Sequence, residues 1–293
     1  MKEQELKDYK KAGQIAAEVL ESSKSLFKKG KKFSDIAEEI ESQIIKKGGN
    51  LAFPVNLSCN EIAAHYTPHP NDELTYEAQL IKVDLGVHIN GCVADTAITI
   101  GPKENTDLIE ASKEALNKAL KLCTPGTEIN KIGKTIQETI ENYGFKPIKN
   151  LSGHELTTHV LHSGQVIPNY NNQDKTLLKE DQVFAIEPFA TTGTGLVKDG
   201  KLSTIYSLEE HKPLRANRDV LKYIEENYKT LPFAKRWLLK KFPLPKVTLA
   251  LAQMKSLGII REYSQLIEIN KSLVSQAEHT VIIKDKPIIT TKI

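Results

Sequence analysis

Asp84 and Asp95 lie on two segments that read as one β-hairpin. Lys82–Ile89 alternates strictly, with Val83, Leu85, Val87 and Ile89 on one face and Lys82, Asp84, Gly86 and His88 on the other. Asn90-Gly91 follows, the strongest short-range signal for a two-residue turn. Pairing Ile89 with Cys92 sets Gly86 opposite Asp95 and Asp84 opposite Ala97. The two aspartates then share a face as diagonal neighbours, about 7–8 Å apart at the backbone. Carboxylates held that close repel each other unless a positive charge lies between them. Taken alone, the pair fits an acidic surface hairpin as well as it fits a cation site.

An internal repeat separates the two readings and shows which elements must position the acids. With Gly30 set on Gly126, Ile36, Ile40, Ile44 and Gly48 fall on Ile132, Ile136, Ile140 and Gly144, all at an offset of 96. Isoleucines every four residues make each copy an amphipathic helix with one apolar stripe, closed by glycine. A second helical pattern precedes each copy, over Glu5–Phe27 and Asp107–Cys123. Asn56-Leu57-Ser58 recurs as Asn150-Leu151-Ser152, and the segment ending in Asp84 recurs as the segment ending in Glu187. Val93-Ala94-Asp95-Thr96 resembles Gln276-Ala277-Glu278-His279. Two helix-helix-strand-strand units related by a pseudo-twofold axis would therefore bring Asp84, Asp95, Glu187 and Glu278 to one centre. Four convergent, partly buried carboxylates are intolerable without cations, and a pair of divalent metals is the economical solution. Bridging carboxylates with one imidazole suit Mn, Fe, Co or Zn. His154, just after the repeated Asn-Leu-Ser, is the candidate imidazole.

The acidic positions are 11 residues apart in the first unit and 91 apart in the second, an insertion of about 80 residues. From Ser207 to Lys246 ten Lys/Arg face five Asp/Glu. Asn217–Tyr228 and Lys246–Leu257 read as helices, broken by Leu231-Pro232, Phe242-Pro243 and Leu244-Pro245. The expected organisation is one catalytic domain over 1–293, with halves of about 1–105 and 106–293 and an inserted helical subdomain over 200–268.

Composition narrows the class. The chain has 293 residues, or about two units at roughly 150 residues per domain. A net charge of +3 gives little support to nucleic-acid binding. No apolar run approaches the ~18 residues of a membrane span. Met1-Lys2-Glu3-Gln4-Glu5 opens without the apolar core of a secretory signal. Cys59, Cys92 and Cys123 fit neither a disulfide framework nor a Cys-rich zinc site. A reduced cytoplasmic protein is expected.

Taken in order, several motifs closely resemble the type 2 methionine aminopeptidases. They are Ala52-Phe53-Pro54-Val55-Asn56, Ala64-His65-Tyr66-Thr67-Pro68, Val83-Asp84-Leu85-Gly86-Val87-His88, Ala94-Asp95-Thr96-Ala97, Asn150-Leu151-Ser152-Gly153-His154, Ala185-Ile186-Glu187-Pro188-Phe189-Ala190 and Glu278-His279-Thr280. The resemblance covers essentially the whole chain, and the minimal length points to the archaeal form. It implies the pita-bread α/β (α+β) fold, two related halves packing helices outside a curved, mainly antiparallel sheet. It also implies removal of the initiator methionine from nascent proteins by a metal-bridging hydroxide, with a small second residue favoured. Carried over by position, Asp84 would hold one metal, His154 and Glu187 the other, and Asp95 and Glu278 both. His65 and His162 match the histidines near the scissile bond, and Glu187 the proton-shuttling carboxylate. Phe53, Leu161 and His162 match positions around the methionine side chain. Ala277 departs from the bulky aromatic usual before the bridging glutamate.

The resemblance further implies a monomer acting on nascent chains, with ribosome association, no membrane and no specific nucleic acid. The competing readings are an X-Pro aminopeptidase or prolidase on the same fold, and a non-catalytic ribosome- or RNA-binding relative. His88, His159 and His279 carry no assigned role.

Overall fold

In a computed structural model that describes residues 1–214 and 216–293, the chain begins with helices α1 (Glu3–Ser23) and α2 (Phe33–Lys46). Strands β1 (Asn50–Cys59), β2 (Ile62–Ala64), β3 (Ile81–Ile89) and β4 (Cys92–Ile100) complete the first unit. The second repeats the order with α3 (Thr106–Leu120), α4 (Ile129–Asn142) and short β5 (Lys146–Pro147). Strands β6 (Ser152–Thr157), β7 (Val160–Pro168), β8 (Val183–Ile186), β9 (Phe189–Thr191) and β10 (Val197–Leu208) follow. Then come α5 (Arg218–Asn227), β11 (Phe233–Ala234), α6 (Lys235–Leu239), α7 (Leu244–Ser256), β12 (Ile260–Glu268), β13 (Val274–Gln276), β14 (His279–Ile282) and β15 (Ile288–Ile289).

The repeat is visible residue by residue. Helices α2 and α4 both run 14 residues, and both of their ends differ by the 96 positions read from the sequence. Ile36, Ile40 and Ile44 are fully buried, as are Ile132, Ile136 and Ile140. Burying each of these side chains contributes about 2 kcal/mol. Gly48 and Gly144 close the two helices at φ 83° and 82°, a left-handed conformation that an L side chain adopts only under strain. Each helix pair covers its own core. Tyr66, Val83 and Leu85 pack beneath α1 and α2, and Phe184, Ile186 and Val281 beneath α3 and α4.

All paired strands are antiparallel, in sheets ordered β1-β3-β4, β11-β10-β12-β2, β13-β9-β5 and β15-β14-β8-β6-β7. The β3–β4 hairpin has the register expected from its sequence: Ile89 opposite Cys92, Gly86 opposite Asp95 and Asp84 opposite Ala97. The halves join beside the acids. The backbone N–H groups of Ala97 and Glu278 each donate to the other's carbonyl, at 3.4 and 3.0 Å. Thr280 Oγ1 accepts from the Asp95 N–H at 2.7 Å and donates to the Asp95 carbonyl at 2.8 Å.

Between residues 200 and 268 the helices α5, α6 and α7 enclose a cluster containing Val220, Ile224, Phe233, Trp237, Val247 and Met254. Both ends of this stretch are strands, β10 and β12, which pair with each other while β12 also pairs with β2. The sequence reading recognised only the helices there. The strand runs are β-branched and aromatic, as in Thr204-Ile205-Tyr206, and carry no counterpart in the first unit.

Candidate metal centre and substrate cavity

Asp84 lies on β3, Asp95 on β4 and His154 on β6, while Glu187 follows β8 and Glu278 precedes β14. Register brings them together. Asp84 faces Ala97, Ala97 bridges to Glu278, and β14 pairs with β8 so that His279 opposes Ile186. His154 opposes Ala185 on the other edge of β8. Donor atoms of Asp95, His154 and Glu278 lie within 4.8 Å of one another. His154 Nε2 is 3.4 Å from Glu187 Oε1 and 3.8 Å from Asp95 Oδ2. All five line one cavity with Phe53, His65, Leu161 and His162, about 510 Å³ of space counting its open mouth. Every residue expected at the site from sequence is therefore on one wall or another of the same cavity.

Burial dominates the electrostatics. It raises the Asp84 carboxyl to about 7, against the nearby Gln276 amide, which works the other way. Asp95, Glu187 and Glu278 are pushed well above the usual carboxylate range, first by burial and then by neighbouring carboxylates: Asp84 acts on Asp95, Asp95 and Asp84 on Glu187, and Asp95, Glu187 and Asp84 on Glu278. Burial likewise depresses His154, with the nearby His162 adding to the effect. Asp84 Oδ1 and Asp95 Oδ1 are buried without a hydrogen-bond partner. Orphaned buried carboxylate oxygens are costly, and this donor set of four carboxylates and one imidazole fits divalent cations.

The shifts have a measurable consequence. Carboxyls raised by burial bind more protons in the folded than in the unfolded chain up to about pH 7 and beyond, whereas the depressed histidines oppose that trend below about pH 6.5. It is therefore above about pH 6.5, where those histidines are neutral in both states, that the metal-free protein loses stability as pH rises. The melting temperature of chelator-treated protein is expected to fall from about pH 6.5 to about pH 8, and saturating divalent metal to abolish that fall. A pH-independent melting temperature for the metal-free protein would refute the convergence of buried carboxylates.

The histidines at the cavity are neutral. Burial, then His65 and Arg261, hold His162 down at about 4. Burial also lowers His65. His65 Nδ1 lies 3.2 Å from the Ser264 carbonyl, which can only accept, so Nδ1 carries the proton and Nε2 presents a lone pair. The His65 backbone is left-handed at φ 66°, a strained conformation for a side chain of that size. The His154 and His162 rings lie 4.3 Å apart.

Several site residues had no role in the sequence reading. Ile205, Pro232 and Tyr263 close the cavity from the inserted stretch. Gln276 is fully buried and donates from Nε2 to Glu278 Oε2 at 3.4 Å. A usable signal existed for Gln276, since its repeat counterpart is the apolar Val93. Asn56 also lines the cavity, opposite Asp84 in register. Ala277 is buried in the core of the second half. His88, His159 and His279 stand outside the cavity; His88 Nδ1 accepts from the Gly91 N–H in its own hairpin turn.

The sequence profile of metallopeptidase family M24 matches residues 7–227. The chain is 49% identical to the methionine aminopeptidase of Thermococcus onnurineus over 96% of this chain and 97% of that protein. Among solved structures, a thermophilic Arx1 superposes with TM-score 0.86 at 18% identity, covering 100% of this chain and 92% of that one. The methionine aminopeptidase of Thermotoga maritima gives 0.73 at 22% identity, over 100% and 98% of the two chains. Prolidases and an X-Pro aminopeptidase share the fold at a TM-score of 0.63. At such identities these structures speak for the pita-bread fold alone.

Proposed function

The chain belongs to metallopeptidase family M24, with near-full-length likeness to archaeal methionine aminopeptidases, and on that premise we propose that it removes the N-terminal methionine from nascent proteins. The observation that carries the reading is the single cavity shared by five metal-type ligands, two neutral histidines and an apolar wall. The family uses divalent metal, and the four carboxylates suit two ions drawn from Co, Mn, Fe or Zn. In this assignment Asp84, Asp95, His154, Glu187 and Glu278 would hold the ions.

Bound divalent cations supply Lewis acidity and bring the pKa of an attacking water down to about 7. The chain's residues supply the remainder. Glu187 takes a proton from the attacking water and returns it to the leaving nitrogen. Neutral His162 donates an N–H to the oxyanion that forms on the methionine carbonyl. His65, its Nδ1–H engaged by Ser264, offers the Nε2 lone pair to a substrate N–H. Phe53, Leu161 and His162 receive the unbranched methionine side chain, and crowding beyond them favours a small second residue.

Gly86 tests the side-chain pocket, since it opposes Asp95 in the hairpin but the atoms nearest to a Cβ there belong to Phe53 and Ala52. A Cβ at this position would lie 2.2 Å from Phe53 Cε1 and 2.5 Å from Cδ1, so Gly86→Ala must displace the ring. Michaelis constants for Met-Ala-Ser are expected to rise about tenfold with metal content unchanged, because binding common to ground and transition states is lost. An unaltered KM would remove Phe53 from the pocket.

No described helix is long and apolar enough to cross a membrane. The free state of Cys59, Cys92 and Cys123 supports a reducing compartment, and action on nascent chains supports the cytoplasm, beside the ribosome. We assign the active form as a monomer, with residues 200–268 as a subdomain inserted into the second half. The deciding assay compares Met-Ala-Ser with Ala-Pro and Leu-Pro under each added metal. Preferential cleavage of Met-Ala-Ser is expected; preference for the proline dipeptides would replace this reading with prolidase, and no cleavage of any peptide would leave a non-catalytic relative.

A further inference from the structure

Phe53 and Asn56 both line the cavity although they are three residues apart on β1. In a regular strand such positions face opposite ways. The register explains the exception: Phe53 opposes Gly86 and Asn56 opposes Asp84, so three residues of β1 advance against two of β3. The extra residue makes a bulge at Pro54-Val55, a device that re-aims side chains beside active sites. A bulge also leaves backbone groups without ladder partners. Here the Val55 N–H donates to Glu41 Oε1 at 3.3 Å, and its carbonyl accepts from Thr67 Oγ1 at 2.9 Å.

Glu41 and Thr67 are in turn held by one residue of the inserted stretch. Arg236 donates from Nη1 to Glu41 Oε2 at 2.6 Å, from Nη2 to Glu41 Oε1, and from Nη2 to Thr67 Oγ1 at 3.3 Å. Trp237 Nε1 donates to Glu41 Oε2 at 3.0 Å. Both charges are more than nine-tenths buried. None of these residues lines the cavity, yet three of them adjoin segments that do: Val55 lies within the Phe53–Asn56 bulge, Thr67 follows His65 by two, and Arg236 follows Pro232 by four.

We propose that the buried Glu41–Arg236 pair, with Thr67, positions the substrate pocket by locking the β1 bulge, the His65 segment and the Pro232 segment into one arrangement. These are positioning residues, acting through Phe53, His65 and Pro232. The inference rests on the aminopeptidase reading for its substrate. A bidentate pair is suited to the task because its planar fork fixes direction as well as distance. The pair also ties the inserted stretch to α2, so the first unit and the insertion share one wall of the cavity.

The test is the double variant Glu41→Leu/Arg236→Met, which removes both charges together and leaves neither buried alone. Its KM for Met-Ala-Ser is expected to rise about tenfold or more, with kcat within about threefold and bound metal unchanged. Selectivity for Met over Leu at the first residue should fall in parallel. Thr67→Val, which keeps the side-chain shape, should show a smaller rise in KM of the same kind and carries the test if the double variant does not fold. Unchanged kinetics in a folded variant would overturn the proposal. A joint loss of kcat and metal would also overturn it, since that marks a general structural role. The wild type is assayed alongside: if it cleaves a proline dipeptide and not Met-Ala-Ser, the activity reading fails and the same comparison is made on the dipeptide it does cleave.

Discussion

Asp95→Ala is expected to lose Met-Ala-Ser hydrolysis by at least about a thousandfold, the equivalent of about 4 kcal/mol of transition-state stabilisation from correctly held metal. Its bound metal should fall in step. The fold should survive, because the Asp95 backbone keeps both of its bonds to Thr280 Oγ1 when the side chain is cut back. The metal-free variant should also melt no lower than the metal-free wild type. Removing Asp95 deletes a buried carboxyl whose charge, without cations, is disfavoured by burial and by Asp84 and in turn disfavours charge on Glu187 and Glu278. Stability should therefore hold or rise while metal affinity collapses. An ordinary loss of core packing would instead lower both. Metal analysis and melting curves with and without chelator separate the cases, and a variant with wild-type metal content and turnover would refute the shared-ligand assignment.

His162→Ala is expected to lower kcat about a hundredfold while leaving metal content intact, the usual scale for removing one oxyanion donor. The ring lies beside His154 but carries no place in the ligand set. Held at about 4 by burial and by its neighbours His65 and Arg261, it stays neutral well below pH 7 and keeps one N–H to donate. Its contribution should thus be constant across the neutral range, and any loss of activity below about pH 5 should persist in the variant through the carboxylates. Loss of metal on His162→Ala would make it a ligand instead, and an undiminished kcat would remove it from the chemistry.

Much of the site was legible in the sequence because its parts are local or repeated. The Asp84/Asp95 register follows from a strict period of two and a two-residue turn, both contained in nineteen consecutive residues, Lys82–Ile100. The Glu187 and Glu278 positions follow from the repeat, whose helices keep their offset at both ends. What escaped depends on partners far away in the chain. The β1 bulge is stabilised by Glu41 and, through it, by Arg236, which is 195 residues from Glu41. No pattern within Asn50–Cys59 announces it beyond a lone proline. The wall formed by Ile205, Pro232 and Tyr263 was hidden for a related reason, since the inserted stretch has no counterpart in the first half to align with. Its helices could be read from periodicity, but the wall is carried by β10, β12 and the loop before β11, and β10 and β12 pair with each other only across the inserted helices.

The central claim is that the buried carboxylate–histidine cluster binds the divalent cations that hydrolysis of a methionyl peptide bond requires. The most direct test titrates chelator-treated protein with a single divalent metal, following bound metal and the rate on Met-Ala-Ser in the same samples. The prediction is no turnover without metal and a rate that rises with occupancy of the cluster, with neither binding nor rate restored in Asp95→Ala. Full turnover by metal-free protein, or metal-dependent turnover retained by Asp95→Ala, would contradict it.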